Sequence, residues 1–438
     1  MKLWPTGGLW RHPDFLKLWS AETVSQFGTQ FTLLALPFAA IIALDASVFE
    51  IAVLTVLEFL PFVVFSLPAG VWVDRMRRKP ILVVSDVVRA VILASIPIAY
   101  AFDVLTIWHL FAAAFIVGVG TVFFDVAYQS YLPALVDRRA LVEGNSKLEI
   151  SRAAAQGGGP GLAGLIIDLL SAPFAIALDA ISFIASALFL TRIRKTERDP
   201  SANGQAARGR MRAEISEGLR YVFGHPYLKN IAACTATFNF FGGFSNAVLL
   251  VFAYRVLDLR PAVIGLAFTL GNVGALVAAL TSGRINRRFG VGPTIIGASI
   301  IGGPMSLLIP FAPHGNAALV VFVPAILVGG FTNVLYNVTQ LSLRQTITPE
   351  RIQGRMNSVM RFVVWGTIPV GTLLGGALGS WIGLKETLIL GGIGSCLPFL
   401  TVFFSPLRDI REMPEPPEEE PLEALVSDVS ATAVHPGS

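Results

Sequence analysis

The chain has 438 residues, 54% of them hydrophobic and 14% charged, with a formal net charge of +4. Soluble globular chains carry about a quarter charged residues, so this composition excludes one water-soluble core. It also lacks the alternating ~10-residue segments of a membrane β-barrel, and its bases lie between apolar runs rather than in a patch that would bind nucleic acid.

The amino-terminal stretch "MKLWPTGGLWRHPDF" lacks the order of charge, apolar core and small residues found in a cleavable signal. The first apolar run is therefore expected to remain as a span. One helical crossing needs ~20 residues at 1.5 Å rise each. Twelve runs meet that length, at about 15–44, 49–73, 80–102, 105–135, 144–168, 172–191, 228–256, 261–286, 291–313, 317–344, 353–381 and 385–405. They predict an all-α integral membrane fold, with twelve transmembrane helices in two pseudo-symmetric six-helix halves, residues 1–191 and 228–405. Residues 192–227 read as a cytoplasmic linker. Its later part, "AEISEGLRYVFGHPYL", puts Ile215, Leu219 and Val222 on one helical face. That spacing predicts an amphipathic helix lying at the membrane surface. The acidic, Pro-rich stretch 406–438 is expected to be a disordered tail.

Successive connections fall on alternate sides of the membrane. The side shared by both termini carries 27 of the 33 Lys and Arg; the other carries Arg255, Arg260 and Lys385, while Arg89, Arg152 and Arg361 lie within spans. Basic connections stay in the cytoplasm, so both termini are expected there, in a multi-pass protein of the inner (plasma) membrane. The two cysteines, Cys234 and Cys396, sit in apolar runs without metal-ligand spacing or a disulfide framework. No metal and no cofactor is expected. No G-x-x-x-x-G-K-S/T occurs, which argues against a pump driven by ATP.

Two motifs recur between the halves. "GVWVDRMRRKP" at 70–80 returns about 213 residues later as "SGRINRRFGVGP" at 282–293, with Gly283 matching Gly70 and Arg287 standing where the first copy has Asp74. "EISRAAAQGGGPG" at 149–161 is echoed by "SVMRFVVWGTIPV" at 358–370, pairing Arg152 with Arg361 and Pro160 with Pro369. Two similar six-span halves suggest a molecule that rocks about a central site.

With these motifs in place, the chain resembles a major facilitator superfamily transporter along nearly its whole length, the tail excluded. The family's loop between spans two and three reads G-x-x-x-D-R-x-G-R-R/K. Here it is Gly70, Asp74 and Arg75, then Arg77 in place of the second glycine, then Arg78 and Lys79. The stretches "HPDFLKLWSAETVSQFG", "YQSYLPALVDRRALVEGNS" and "GGGPGLAG" resemble the branch of multidrug, macrolide and siderophore exporters. In the last, Gly159, Pro160 and Gly164 are close to the glycine-proline motif associated with antiporters, with Ala163 where glycine is common. An acid often follows the span-one glycine in that branch; here Gly28 is followed by Thr29. The resemblance implies that Asp74 sits against the amino end of span eleven and latches the halves. It also implies a glycine seam in span five that blocks leak.

Glu22, Glu58, Asp86, Asp125, Glu149 and Asp179 lie within spans one to six, and spans seven to twelve hold no internal acid. A charge at a helix centre costs ~2.5–3.5 kcal/mol or more, so these groups should face protein or a wet cavity. Six acids against three internal arginines imply that at least one carboxyl holds a proton in some state of the cycle. Asp86 with Arg89, and Glu149 with Arg152, are three residues apart and can neutralise each other. Glu22 and Asp125 are the leading candidates for proton coupling on equal terms, with Glu58 behind them and Glu149 balanced between pairing and coupling; Asp179 reads as structural. Gln26 and Gln30 continue the polar stripe of Glu22. Substrate contacts are expected from polar and aromatic positions facing the centre: Arg152, Asn239, Asn333, Tyr336, Asn337, Arg361 and Trp365, with Gln26 and Gln30.

The expectation is therefore a monomeric secondary transporter, not an enzyme, that exports a small hydrophobic or amphipathic molecule in exchange for protons by alternating access. A proton-coupled importer or a lipid transporter of the same fold is the alternative. A non-transporting receptor fits less well, because a passive bundle has no need of buried charges.

Overall fold

The structure is a computed structural model, which describes residues 8–136, 140–195, 197 and 211–414. Within these residues the chain is helical and contains no strand. The first half comprises α1 (Pro13–Phe38), α2 (Val48–Arg75), α3 (Arg78–Ala101), α4 (Ile107–Leu135), α5 (Leu141–Leu169) and α6 (Ala172–Thr191). A shorter helix, α7 (Met211–Gly224), precedes the second half. That half comprises α8 (Leu228–Val251), α9 (Pro261–Phe289), α10 (Val291–Leu308), α11 (Leu319–Ile347), α12 (Glu350–Trp381), and a last crossing broken into α13 (Leu384–Ser395) and α14 (Pro398–Phe403). Eleven of the twelve crossings are apolar and long enough to span a bilayer by themselves; α5, with its charges and glycines, is the exception.

Local chemistry sets the boundaries. His12 accepts from the Phe15 amide and Pro13 opens α1; Ser47 and Glu50 form a reciprocal capping box on α2. Thr106 and Ser171 cap α4 and α6. The duplication extends to the turns. α1 and α8 each run into one π-helical turn, Ala39–Ala43 and Phe252–Val256. Each is followed by an aspartate in the left-handed region, Asp45 at φ 46° and Asp258 at φ 55°. Asp tolerates that region because its side chain is short and polar.

Packing repeats as well. In the first half α1 packs on α5 and α6, and α4 on α2 and α3; in the second, α8 packs on α12 and α13, and α11 on α9 and α10. The halves meet along two symmetry-related seams, α5 with α9 and α2 with α12. Both seams are closed at the end of the bundle that carries Asp45 and Asp258. There one apolar core runs through both halves, including Phe38, Ala52, Phe183, Val251, Phe252 and Phe322. Arg255 binds Asp45 at 2.6 Å, Arg260 binds Asp168 at 3.7 Å, and the Phe49 amide donates to Ser380 at 3.1 Å. At the opposite end the core splits into two clusters, one within each half. The molecule is therefore closed at one end and parted at the other.

Glycine makes the α5–α9 seam. Gly164 and Gly265 face each other, each with its Cα about 3 Å from where a Cβ on the other would lie, and each covered by a backbone carbonyl, of Pro261 and Pro160 respectively. Backbone cannot yield as a flexible side chain does. Gly164→Ala is expected to bias the molecule against the closed seam by ~1–3 kcal/mol. The check is thiol labelling of a cysteine placed at Ala267, which is buried there, in a background with Cys234 and Cys396 replaced by Ser. Faster labelling is expected; an unchanged rate removes the seam from the account.

Sequence reading placed the linker helix at the membrane surface; the structure shows what covers its apolar face. Helix α7 packs on α12 and α8. Val222 is fully buried in the core of the second half, and Gly218 lies against Val359 and Arg355. Glu217 pairs with Arg355, and Tyr221 donates to the Ile347 carbonyl at 3.2 Å. Leu219 remains exposed, while the side chain of Ile215 lies outside the described residues. Of the stretch 406–438 expected to be disordered, Pro406–Asp409 instead forms a 3-10 turn with Leu407 buried, and residues from 415 onward lie outside the described residues.

The parted end has a staple in each half. In the first, the Glu197 carboxylate accepts the amides of Arg78 and Lys79, at 2.6 and 2.7 Å, at the start of α3. Lys79 also donates to the carbonyls of Thr191 and Ile193. In the second, the amides of Val291 and Gly292 at the start of α10 donate to the carbonyls of Arg411 and Ile410, at 3.2 and 2.8 Å. Each half's outgoing chain thus returns to satisfy the free amides of its third helix. The side chains of Gly70, Asp74, Arg75 and Gly354, which the latch requires, lie outside the described residues. The basic end of that loop, Arg78 and Lys79, is tied to its own half. Glu197→Ala removes a helix-capping carboxylate worth ~0.5–2 kcal/mol. Faster deuterium exchange at the Arg78 and Lys79 amides is the expected result; unchanged protection would show that the clasp is absent in solution.

Candidate functional site

The six intramembrane acids divide by their partners. Asp86 pairs through one oxygen with Arg89 one turn along α3, both buried, while its other oxygen has no hydrogen-bond partner. The guanidinium lies between the rings of Phe124 and Phe183, 4.4 and 4.1 Å from their centroids, and Gly120 leaves room for its stem. Asp179 on α6 accepts Thr32 at 2.5 Å and Ser182 at 2.9 Å. Gly28 lies directly over that pair of residues, where a Cβ would strike Ser182 and Asp179. Asp179 ties α6 to α1, and the Asp86 pair is closed within α3.

Glu22, Asp125 and Glu149 form a different group, brought together from α1, α4 and α5. Glu22 is 5% exposed. One of its oxygens accepts Gln26 at 2.7 Å; the other is buried with no hydrogen-bond partner. The fields of Asp125, Arg152 and Arg89 all act on Glu22. Tyr128, one turn from Asp125 on α4, feels Glu22, Asp125, Glu149 and Arg152 together. Arg152 pairs loosely with Glu149 at 3.6 Å, and both side chains are largely exposed. Asp86 already pairs with Arg89, whose field also reaches Glu22 and Asp125, so four acids here share two arginines. Glu58 stands apart, half-exposed on α2, with no charged group among the described residues acting on it.

Other predicted residues are held by partners inside their own half. Gln30 lies with its Cβ and Cγ against Gly159 of α5, so it fills a helix contact. Gly159 thereby serves α1, while Gly161 donates its amide to Thr269 of α9 at 3.0 Å. Asn239 donates to the Val364 carbonyl at 3.0 Å. Tyr336 is buried with its hydroxyl 2.7 Å from that of Thr235. Asn333 and Tyr336 border a small cavity among α8, α10 and α11, with Cys234, Phe238 and Thr332. Asn337 donates back to Asn333.

Sequence reading missed Arg344. It was counted with the basic connections, yet it is 8% exposed, donates to Asn357 at 3.3 Å, and has a buried Nε without a partner. The signal was present: 333, 337, 340 and 344 continue one polar stripe at helical spacing. On α12, Asn357 is followed at i+4 and i+8 by exposed Arg361 and half-exposed Trp365. The Arg361 guanidinium lies 5.9 Å from the Trp365 ring centroid.

The facing walls therefore differ, acidic on the first half and basic on the second, in a bundle parted at one end. A family model described as a transmembrane secretion effector matches residues 8–433. The multidrug efflux pump Tap of Mycolicibacterium fortuitum is 28% identical over 410 residues, covering 89% of this chain and 97% of that protein. Macrolide efflux protein A of Streptococcus pyogenes is 22% identical over 380 residues, covering 86% and 92%. Among solved structures, a bacterial homologue of the iron transporter ferroportin in an inward-facing state superposes with TM-score 0.70 at 17% identity, covering 91% of this chain and 99% of that one.

Proposed function

Because the chain belongs to the transmembrane secretion effector family of major facilitator transporters, we propose that it exports a small hydrophobic or amphipathic molecule in exchange for protons. The protein is a multi-pass membrane transporter with efflux pumps among its relatives. The asymmetry of basic residues supports an orientation with both termini in the cytoplasm. In that orientation the described state is open to the cytoplasm and closed outside. Substrate enters between the parted halves; a monomer suffices, because the cavity is complete within one chain.

The observation that carries the reading is Glu22, a buried carboxyl with one unpartnered oxygen, in the field of Asp125 and of an Arg152 that Glu149 also pairs, while Arg89 is paired with Asp86. If all ionised, that wall would hold a surplus of negative charge in a medium that disfavours it. A proton relieves the surplus, and so does rearrangement of the walls when the bundle rocks. Glu22 is the principal proton carrier and Asp125 its neighbour in the same field; Glu58, remote from both, is not required. Arg152 restrains the group, and Gly164 with Gly265 keeps the outer seam tight while the exchange proceeds.

Transport of rhodamine 6G into inside-out vesicles with an imposed pH gradient tests this. Gradient-dependent accumulation, abolished by a protonophore, is the expected result. Accumulation indifferent to the gradient removes proton coupling. Accumulation only in right-side-out vesicles makes the protein an importer.

A further inference from the structure

We infer that the second-half wall is a binding site for an oxyanion, and that the molecules transported include amphipathic organic acids whose carboxylate docks on Arg361 with the apolar body against Trp365. This deepens the transport reading and rests on it for the existence of a substrate.

Arg361 has no carboxylate within ion-pair distance among the described residues, and its own half has no acid inside a span. Its orientation follows from helix geometry. Gly379, five turns further along α12, sits where a Cβ would meet both Val248 of α8 and Val48 of the first half, and nearby Gly376 packs on Ala52 of α2. Arg361 therefore lies on the helix face that looks across to the first half. At the closed end that face touches α2; at the parted end it borders the gap. An arginine there is stable facing water and costly facing lipid. Arg344 adds the independent observation: it is nine-tenths buried, joined to Asn357 one turn before Arg361, and its Nε lacks a partner. Two guanidinium groups flanking Asn357, without a carboxylate between them, present several unused N–H donors. Such donors match the planar, paired oxygens of a carboxylate. Trp365 supplies the aromatic surface beside the charge.

The symmetry-related Arg152 makes the contrast. It occupies the equivalent position in the first half and is surrounded by Glu149, Glu22 and Asp125. The second half keeps the arginine and omits the acids, so its counter-charge must come from outside the half.

The test is fluorescence anisotropy on the full-length protein in phosphatidylcholine nanodiscs. The probes are fluorescein, an anionic xanthene dye that bears a free carboxylate, and rhodamine 6G, a cationic xanthene dye in which that group is esterified. Saturable fluorescein binding is expected, weakened about tenfold or more in Arg361→Gln, weakened also in Arg344→Gln, and only partly restored in Arg361→Lys, which keeps the charge and loses the fork. Rhodamine 6G, a cation with no free carboxylate, should not bind more weakly in Arg361→Gln, and a monodisperse gel-filtration peak reports that the variant is folded. No saturable fluorescein binding, binding unaffected by Arg361→Gln, or equal loss of both probes overturns the proposal. Adding phosphatidylglycerol to the discs distinguishes the other source of an oxyanion: unchanged fluorescein affinity is expected, and displacement assigns the stripe to a lipid headgroup and overturns it. Binding is read without a pH gradient, so a failure of proton-driven export leaves this result standing.

Discussion

Glu22→Gln is expected to abolish pH-gradient-driven accumulation of rhodamine 6G in inside-out vesicles while leaving exchange of labelled for unlabelled rhodamine 6G intact. Exchange needs the halves to rock with substrate bound; accumulation needs a group that binds a proton on one side and releases it on the other. Gln keeps the size of Glu22 and can still bond Gln26, so the fold should survive. What disappears is the titratable oxygen that has no partner. A fall of about tenfold or more in accumulation corresponds to losing ~1.4 kcal/mol or more of coupling. Asp125→Asn should slow accumulation and keep its dependence on the gradient, because Asp125 acts on Glu22 through its field. Gradient-driven accumulation preserved in Glu22→Gln would remove that residue from the mechanism.

The second large effect is on stability. Asp86→Asn leaves Arg89 buried between two aromatic rings without its counter-charge. Breaking a buried pair from one side costs ~3–5 kcal/mol, whereas replacing both partners by apolar residues of similar size is often neutral. Asp86→Asn and Arg89→Met alone should each reduce the recovery of monodisperse protein and lower its thermal midpoint. The double variant Asp86→Leu with Arg89→Met should recover most of both. Single variants as stable as wild type, but with altered gradient dependence, would move this pair from the scaffold into the proton pathway.

These two carboxyls show what sequence could and could not separate. Spacing along one helix revealed that Asp86 and Arg89 can pair, since both partners lie on α3. It could not reveal that Glu22, Asp125 and Glu149 share a field, because they come from three helices whose mutual rotation depends on packing. The same limit explains Gln30: helical spacing put it on the stripe of Glu22, but Gly159 of a neighbouring helix took the space beside it. The halves were legible because a duplication leaves its mark in the chain itself. The offset between Asp45 and Asp258, and between the two π-helical turns, equals that between Gly70 and Gly283. Arg344 was misread because its position at the end of a span suggested a solvated base, and only the approach of α12 buries it. Helix α7 has a genuine apolar face, and the sequence could not say whether lipid or protein would cover it. The staple made by Glu197 is a contact across more than a hundred residues, beyond any local pattern.

Proton counter-movement is the most direct measurement of the central claim. Proteoliposomes containing a pH-sensitive dye would be given an outwardly or inwardly directed rhodamine 6G gradient without any imposed pH difference. Protons are expected to move opposite to rhodamine in the wild-type protein, and not in Glu22→Gln, where rhodamine exchange continues. Rhodamine movement through the wild-type protein with no change in lumenal pH, or proton movement undiminished in Glu22→Gln, would contradict it.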